Sequence, residues 1–217
     1  MHNHNRHLSL LGLVVCALSF VNAPDCRANL IFDVTLATSS LIGNPAGPFY
    51  IDFQLNDGSG TGDTNNTVTI NNFLFDGGSA AGSPLPGIGG ASGSLFSSVG
   101  ITDSAFLNEF TQQFFAGVTL SFRVNLTTNL DSGLTPDAFS FAILDNTLTP
   151  LPTTGLGDAL LLVNINSSKP QIETFPTTDG TAIQPRFNVP ETGSSFAMLL
   201  IGLGAVWCLR RRFLHAA

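Results

Sequence analysis

Apolar and polar residues alternate along much of the chain between residues 29 and 188. In residues 49–55 every second position is Phe, Ile or Leu, and in residues 118–126 every second position is Val, Leu or Phe. Successive side chains of an extended strand point to opposite faces, so this period of two predicts strands with one buried face.

Other segments show the same alternation, or are short apolar runs, and turn residues separate them. They predict further strands at 30–36, 67–71, 139–143 and 160–165, with edge strands at 171–175 and 182–189. Strands at such spacing, without alternating helices, predict an all-β fold. The expected fold is an antiparallel β-sandwich, jelly-roll or immunoglobulin-like, of about seven to nine strands.

Two segments depart from this pattern. Phe106, Phe110 and Phe114 are spaced for one face of a helix, and Asp103 or Ser104 could cap it, so a helix is expected at 103–115. Residues 76–100 are rich in glycine and predict a long surface excursion with a short strand near 94–99.

The composition of residues 29–188 excludes several kinds of chemistry. All histidines, all cysteines and the single tryptophan lie outside this range. Ser-His and Cys-His catalysis, histidine- or cysteine-ligated zinc and disulfides are therefore excluded from it. The whole chain carries a net charge of -7. An acidic domain repels phosphates, which excludes nucleic acid as a partner and favours divalent cations as counter-ions.

One loop has the composition of a calcium-binding segment. Residues 57–66 alternate oxygen-bearing side chains with glycine, and Asp57, Asp63 and Asn65 are its candidate metal ligands. Calcium takes six to eight oxygen ligands from flexible loops. The spacing is not that of an EF-hand, and an ordinary hairpin loop explains the same composition.

Enzymatic and sugar-binding sites have little support in the sequence. Glu109 and Glu173 are the only glutamates between residues 29 and 188 that could supply a glycosidase pair. Carbohydrate-binding faces usually present Trp or Tyr, and this range offers only Tyr50. We therefore expect a non-enzymatic domain without a tightly bound cofactor, with calcium or extracellular polysaccharide as alternative ligands.

The first 28 residues are typical of a signal peptide. A mildly basic start precedes an apolar stretch at 8–21. Cleavage by signal peptidase is expected between Ala28 and Asn29. The alternative, after Ala23, would place Pro24 directly behind the cleaved bond.

The last 29 residues have the three parts of a C-terminal sorting signal. A short motif, Val189-Pro190-Glu191-Thr192-Gly193 within 189–195, precedes an apolar helix at 196–209. Arg210, Arg211 and Arg212 follow and would stop transfer on the cytoplasmic side. The apolar run is at the short limit for a membrane span, as suits a temporary anchor, and a permanent anchor is the alternative reading.

This C-terminal pattern resembles the PEP-CTERM class of bacterial sorting signals, which exosortases process. Val189, Pro190 and Glu191 match that class, whereas Thr192 replaces its second proline. The motif also resembles the sortase signal Leu-Pro-x-Thr-Gly, although Val189 stands where leucine is expected. Residues 30–41 and 135–145 are similar to segments of exported β-rich proteins with the PEP-CTERM signal.

The resemblance implies an exported protein that passes through the inner membrane as an intermediate. Its destination would be the cell surface or the extracellular polysaccharide (biofilm) matrix, where we expect a structural role. Its processing partners would be signal peptidase and an exosortase-type enzyme.

Overall fold

A computed structural model describes residues 29–190 except 60, 132, 134 and 167–169. The described residues form strands and two short 3-10 helices, Ser39–Leu41 and Leu156–Asp158. The strands are β1 Leu30–Ala37, β2 Phe49–Asn56, β3 Thr67–Leu74, β4 Ser79–Ala80, β5 Gly90–Gly93, β6 Val99–Thr102, β7 Leu107–Phe115, β8 Thr119–Leu126, β9 Asp137–Leu144, β10 Leu161–Ile165, β11 Gln171–Thr174 and β12 Arg186–Asn188.

The strands form two six-stranded sheets. The first sheet has the order β12-β1-β8-β3-β6-β5, and the second has the order β11-β10-β9-β2-β7-β4. Every strand pair is antiparallel. The predicted all-β, antiparallel class is therefore confirmed, and β11 and β12 are edge strands as expected.

One apolar core lies between the two sheets. In β8 the side chains of Leu120, Phe122, Val124 and Leu126 are buried, and the residues between them are half-buried. The ring centroid of Phe122 lies 5.3 Å from that of Phe53 on β2 of the other sheet. The alternating faces thus meet in a sandwich-like arrangement, the geometry that the period of two predicts.

The number of strands exceeds the seven to nine expected. The additional strands are short, and β4 and β5 lie in the glycine-rich segment, where few apolar side chains mark them. The strand expected near 94–99 is also displaced: β5 ends at Gly93, residues 94–98 form a turn, and β6 begins at Val99.

The prediction of a helix at 103–115 is wrong, because Leu107–Phe115 is strand β7. A spacing of four residues between phenylalanines fits both a helical face and one face of a strand. The alternation was hidden because Asn108 and Gln112 occupy inward positions that alternate with Phe110 and Phe114, and both are buried. Their side-chain amides donate to backbone carbonyls, which is how polar groups are accommodated there.

Three connections cross between the sheets at one end of the sandwich. They join β2 to β3, β6 to β7 and β8 to β9, and each links strands of different sheets. Asn56 at the end of β2 pairs with Leu107 and Ala138 at the starts of β7 and β9. Thr67 at the start of β3 pairs with Thr102 at the end of β6. The antiparallel registers therefore bring these three loops together.

The expected signal peptide, the apolar helix at 196–209 and the arginines at 210–212 lie outside the described residues. In the part of the chain that is described, neither 3-10 helix has the length or the apolar content that a membrane span requires.

Candidate metal centre

The three crossing loops carry a cluster of carboxylates at their meeting point. Two sets of three aspartates have carboxylate oxygens within 4.8 Å of one another: Asp57, Asp63 and Asp103 form one set, and Asp57, Asp131 and Asp137 form the other. Asp57 and Asp63 come from the β2–β3 loop, Asp103 follows β6, and Asp131 precedes β9. We call these five residues the acidic cluster.

Asn66 joins all three loops within this cluster. It is fully buried, and its backbone N–H donates to the carboxylate of Asp103 at 2.8 Å. Its side-chain amide donates to Asp137 Oδ2 at 2.7 Å and to the carbonyl oxygen of Asn129 at 2.9 Å. Asn66 belongs to the β2–β3 loop, and its bonds to the other two crossing loops fix the positions of the three loops relative to one another.

Backbone N–H groups fix two further carboxylates. Gly58 donates its N–H to Asp137 Oδ1 at 2.9 Å, and Gly62 donates its N–H to Asp57 Oδ2. Gly62 has a φ of 85°, a left-handed conformation that glycine adopts without strain. Glycine at position 62 therefore lets the backbone turn its N–H toward the carboxylate of Asp57.

Several oxygens of the cluster, and one of the neighbouring Asn65, nevertheless have no hydrogen-bond partner. Among the described residues, these buried atoms are Asp57 Oδ1, Asp103 Oδ1, Asp131 Oδ2 and Asn65 Oδ1. Asp57 and Asp103 are fully buried residues. Buried polar atoms almost always have a partner, and leaving a charged one without a partner costs free energy. A cation accepts oxygen lone pairs, so a bound cation could satisfy these four oxygens.

The electrostatics of the cluster agree with that reading. Burial raises the pKa of Asp57, Asp103 and Asp131, and the neighbouring carboxylates of Asp137 and Asp63 raise all three further. The pKa of Asp103 reaches about 6. These carboxylates repel one another when ionised, so a cation between them would relieve the repulsion.

The donor set matches a hard cation. All of the available ligand atoms are carboxylate or amide oxygens, which calcium and magnesium prefer. Oxygens that coordinate one calcium ion at about 2.4 Å lie at most about 4.8 Å apart, and the carboxylate oxygens of each set lie within that limit. Magnesium needs shorter bonds and a strict octahedron, whereas calcium accepts irregular sets of loop oxygens, so calcium is the better candidate.

No protein-family model matches the chain, and no curated protein or solved structure matches it either. The candidate site therefore depends on its own geometry and chemistry.

The structure brings the metal ligands predicted from the sequence into one place. Asp57 and Asp63 belong to the same set. Asn65 donates its side-chain amide to Asp63 Oδ2 at 2.8 Å and also to Asp131, and its own Oδ1 is buried without a hydrogen-bond partner.

Sequence reasoning missed Asp103, Asp131 and Asp137. The sequence predicts Asp103 as a helix cap, and none of the three lies in a run of alternating oxygen ligands. A usable signal exists: each follows or precedes a strand end that faces the β2–β3 loop. Recognising it requires the pairing of strands that are far apart in sequence.

The glutamates considered for a glycosidase do not come together. Glu109 lies on β7 and Glu173 on β11, with β2, β9 and β10 between them in the second sheet. At about 4.8 Å per strand this separation is far beyond the 5–9.5 Å between glycosidase carboxyl groups. Glu109 instead lies beside Asp52 on β2, and the amide of Gln54 donates to both carboxylates.

Proposed function

We propose that the chain is an exported, non-enzymatic domain of the bacterial cell surface or extracellular matrix, and that calcium locks one end of its β-sandwich. The observation that supports calcium binding is the group of unpartnered buried oxygens where the three crossing loops meet. A calcium ion would connect loops that join the two sheets, and so would tie the sheets together at that end.

Within this proposal the fold is a jelly roll rather than an immunoglobulin-like sandwich. The first sheet contains the order β1-β8-β3-β6, and the second contains β2-β7-β4. Successive strands therefore alternate between the sheets, as in the paired Greek keys of a jelly roll. The remaining strands extend the two sheets at their edges.

A structural role for the ion is consistent with the lack of cysteines in the domain. An exported domain without cysteines cannot use disulfides, and a bound ion is an alternative way to hold loops in a folded chain. Because the residues of the cluster are acidic and largely buried, ion binding would couple directly to the stability of the fold.

Thermal unfolding tests the calcium-binding part of this function. We expect the midpoint of residues 29–190 to rise on going from EDTA to millimolar calcium. At 100 times the dissociation constant the gain is about 2.7 kcal/mol, or roughly 5–10 °C for this size. Asp57→Asn should abolish the shift, and Asp76→Asn, at an exposed loop carboxylate elsewhere, should retain it. An equal midpoint in EDTA and calcium would refute calcium binding.

Polysaccharide binding is a second candidate, and one surface favours it. Tyr50, Gln54 and Gln113 are half-buried on the outer face of the second sheet, and Tyr50 lies directly opposite Gln113. An aromatic ring next to amide groups can stack on a sugar ring and bond to its hydroxyls. In affinity electrophoresis with bacterial exopolysaccharide, Tyr50→Ala should lose retardation and Tyr50→Phe should keep it. Unretarded wild-type protein would exclude this function.

A further inference from the structure

The two sets of aspartates share one residue, Asp57, and are otherwise separate. Asp63 and Asp103 complete the first set, and Asp131 and Asp137 complete the second. Carboxylates around one calcium ion must all lie within about 4.8 Å of one another. That condition holds inside each set, so each set outlines its own coordination position.

Each set also has its own unsatisfied oxygen. Asp103 Oδ1 is unpartnered in the first set and Asp131 Oδ2 in the second, whereas Asp57 Oδ1 is available to both. Asp103 and Asp57 are fully buried, so their free oxygens are not exposed to solvent. Each set therefore contains an oxygen that a cation could bind, in addition to the shared oxygen of Asp57.

The formal charge of the cluster favours more than one divalent cation. Its five carboxylates have a formal charge of about −5 when all are ionised, and one calcium ion would leave a net −3 at a largely buried position. The ion pair found among the described residues joins Arg123 to Asp33 on the first sheet and involves none of the five aspartates. Two calcium ions would reduce the charge to −1.

We propose that the acidic cluster binds two calcium ions, with the carboxylate of Asp57 bridging them. This inference rests on the proposed calcium-binding function and adds the number of ions and the bridging ligand. The first ion is held by Asp57, Asp63 and Asp103, and the second by Asp57, Asp131 and Asp137. The side-chain amide of Asn65 donates to one aspartate of each set, Asp63 and Asp131, and so links the two sets.

Equilibrium dialysis of the full chain in detergent against radioactive calcium gives the number of ions directly. We expect two ions per chain for the wild type. Asp103→Asn and Asp131→Asn should each retain one ion, because each change removes a ligand from one set only. Asp57→Asn should lose both, and the control Asp76→Asn should keep two.

The count for the wild type decides between the two proposals without any variant. One ion per chain overturns the two-ion inference and leaves calcium binding intact, whereas no bound ion overturns both. Far-UV circular dichroism of each variant shows whether it folds. If Asp57→Asn retained one ion in a folded protein, its bridging role would be refuted.

Discussion

Phenylalanine rings fill much of the space between the two sheets. Phe122 is 2% exposed, and its ring centroid lies 5.1 Å from that of Phe141 and 5.3 Å from that of Phe53, both in edge-to-face orientation. Such pairs add about 0.5–1.5 kcal/mol to the burial of apolar area. The inward position of these residues could be predicted from the sequence, because the period of two puts them all on one face.

Removal of the Phe122 ring should be severely destabilising. Phe122→Ala leaves a cavity between the sheets, so we expect the free energy of unfolding to fall by about 3–5 kcal/mol. Phe122→Asp would bury an unpaired charge and should prevent folding. Urea unfolding of residues 29–190, followed by far-UV circular dichroism, measures both. Phe96→Ala, at a side chain that is 68% exposed, should change stability little; an equal loss there would contradict this view of the core.

A second residue-scale feature is the buried carboxyl group of Asp52 in the second sheet. Burial, and then the carboxylate of Glu109 beside it, raise the pKa of Asp52 to about 7, although bonds from Gln54 and Thr111 oppose this. The folded protein therefore holds a proton on Asp52 between about pH 4 and pH 7 that the unfolded chain has released. Over that range the contribution of Asp52 makes folding less stable as pH rises.

The variant Asp52→Asn should remove this pH dependence. At pH 8 we expect it to be more stable than the wild type by about 1–3 kcal/mol, and the difference should become small near pH 4.5. Chemical unfolding in EDTA at the two pH values measures the effect without a metal contribution. Glu173→Gln, on the exposed face of β11, is the matched control and should have little effect at either pH. A wild type that is more stable than Asp52→Asn at pH 8 would contradict the argument.

At the scale of elements, the strands could be predicted where apolar side chains fill every inward position. They could not be predicted where polar groups take those positions, as Asn108 and Gln112 do in β7. A buried amide bonded to backbone carbonyls is as compatible with a core as an apolar residue, but it breaks the pattern on which the prediction depends. The short strands β4 and β5 have too few side chains for any period to show.

Only part of the candidate site could be predicted from the sequence, because local patterns do not show long-range strand pairing. Its first ligands, Asp57 and Asp63, lie in one loop and show as a local pattern. Asp103, Asp131 and Asp137 join them only because antiparallel registers place three sheet-crossing loops at the same end. The long-range pairing that assembles the site is a property of the topology, and no local pattern contains it.

Close packing of two of these loops depends on Gly58. A Cβ atom at this position would lie 2.3 Å from the carbonyl oxygen of Thr135 and 2.5 Å from that of Pro136. Gly58→Ala must therefore push the β8–β9 loop away from the β2–β3 loop and separate the two halves of the acidic cluster. We expect calcium affinity to fall by at least about tenfold, or 1.4 kcal/mol, in a titration followed by calorimetry.

The control for Gly58 is Gly100→Ala in β6, where an added Cβ has open space. It should bind calcium like the wild type. Unchanged affinity in Gly58→Ala would show that the approach of these loops is not needed for the site.

At the scale of the whole molecule, the fold ends close to the expected processing motif. Strand β12 is the edge of the first sheet, all three of its residues are exposed, and Val189 follows it with 49% exposure. A processing enzyme needs an extended and accessible segment, and an edge strand that leads into the motif provides one. The expected cleavage would leave the core and the acidic cluster intact, because both lie before β12 in sequence.

Intact-mass analysis of protein recovered from the surface or secreted fraction tests this processing. We expect a product that begins at Asn29 and lacks Trp207, since the apolar segment 196–209 would be removed with the sorting signal. Pro190→Ala should block release if the motif is recognised, whereas Pro45→Ala, at an exposed loop proline, should not. A product that retains Trp207 would indicate a permanent membrane anchor, and a product ending at Thr192 would indicate a sortase. A mass that lacks Trp207 and ends at a residue other than Thr192, with the core complete, is the result expected from exosortase processing.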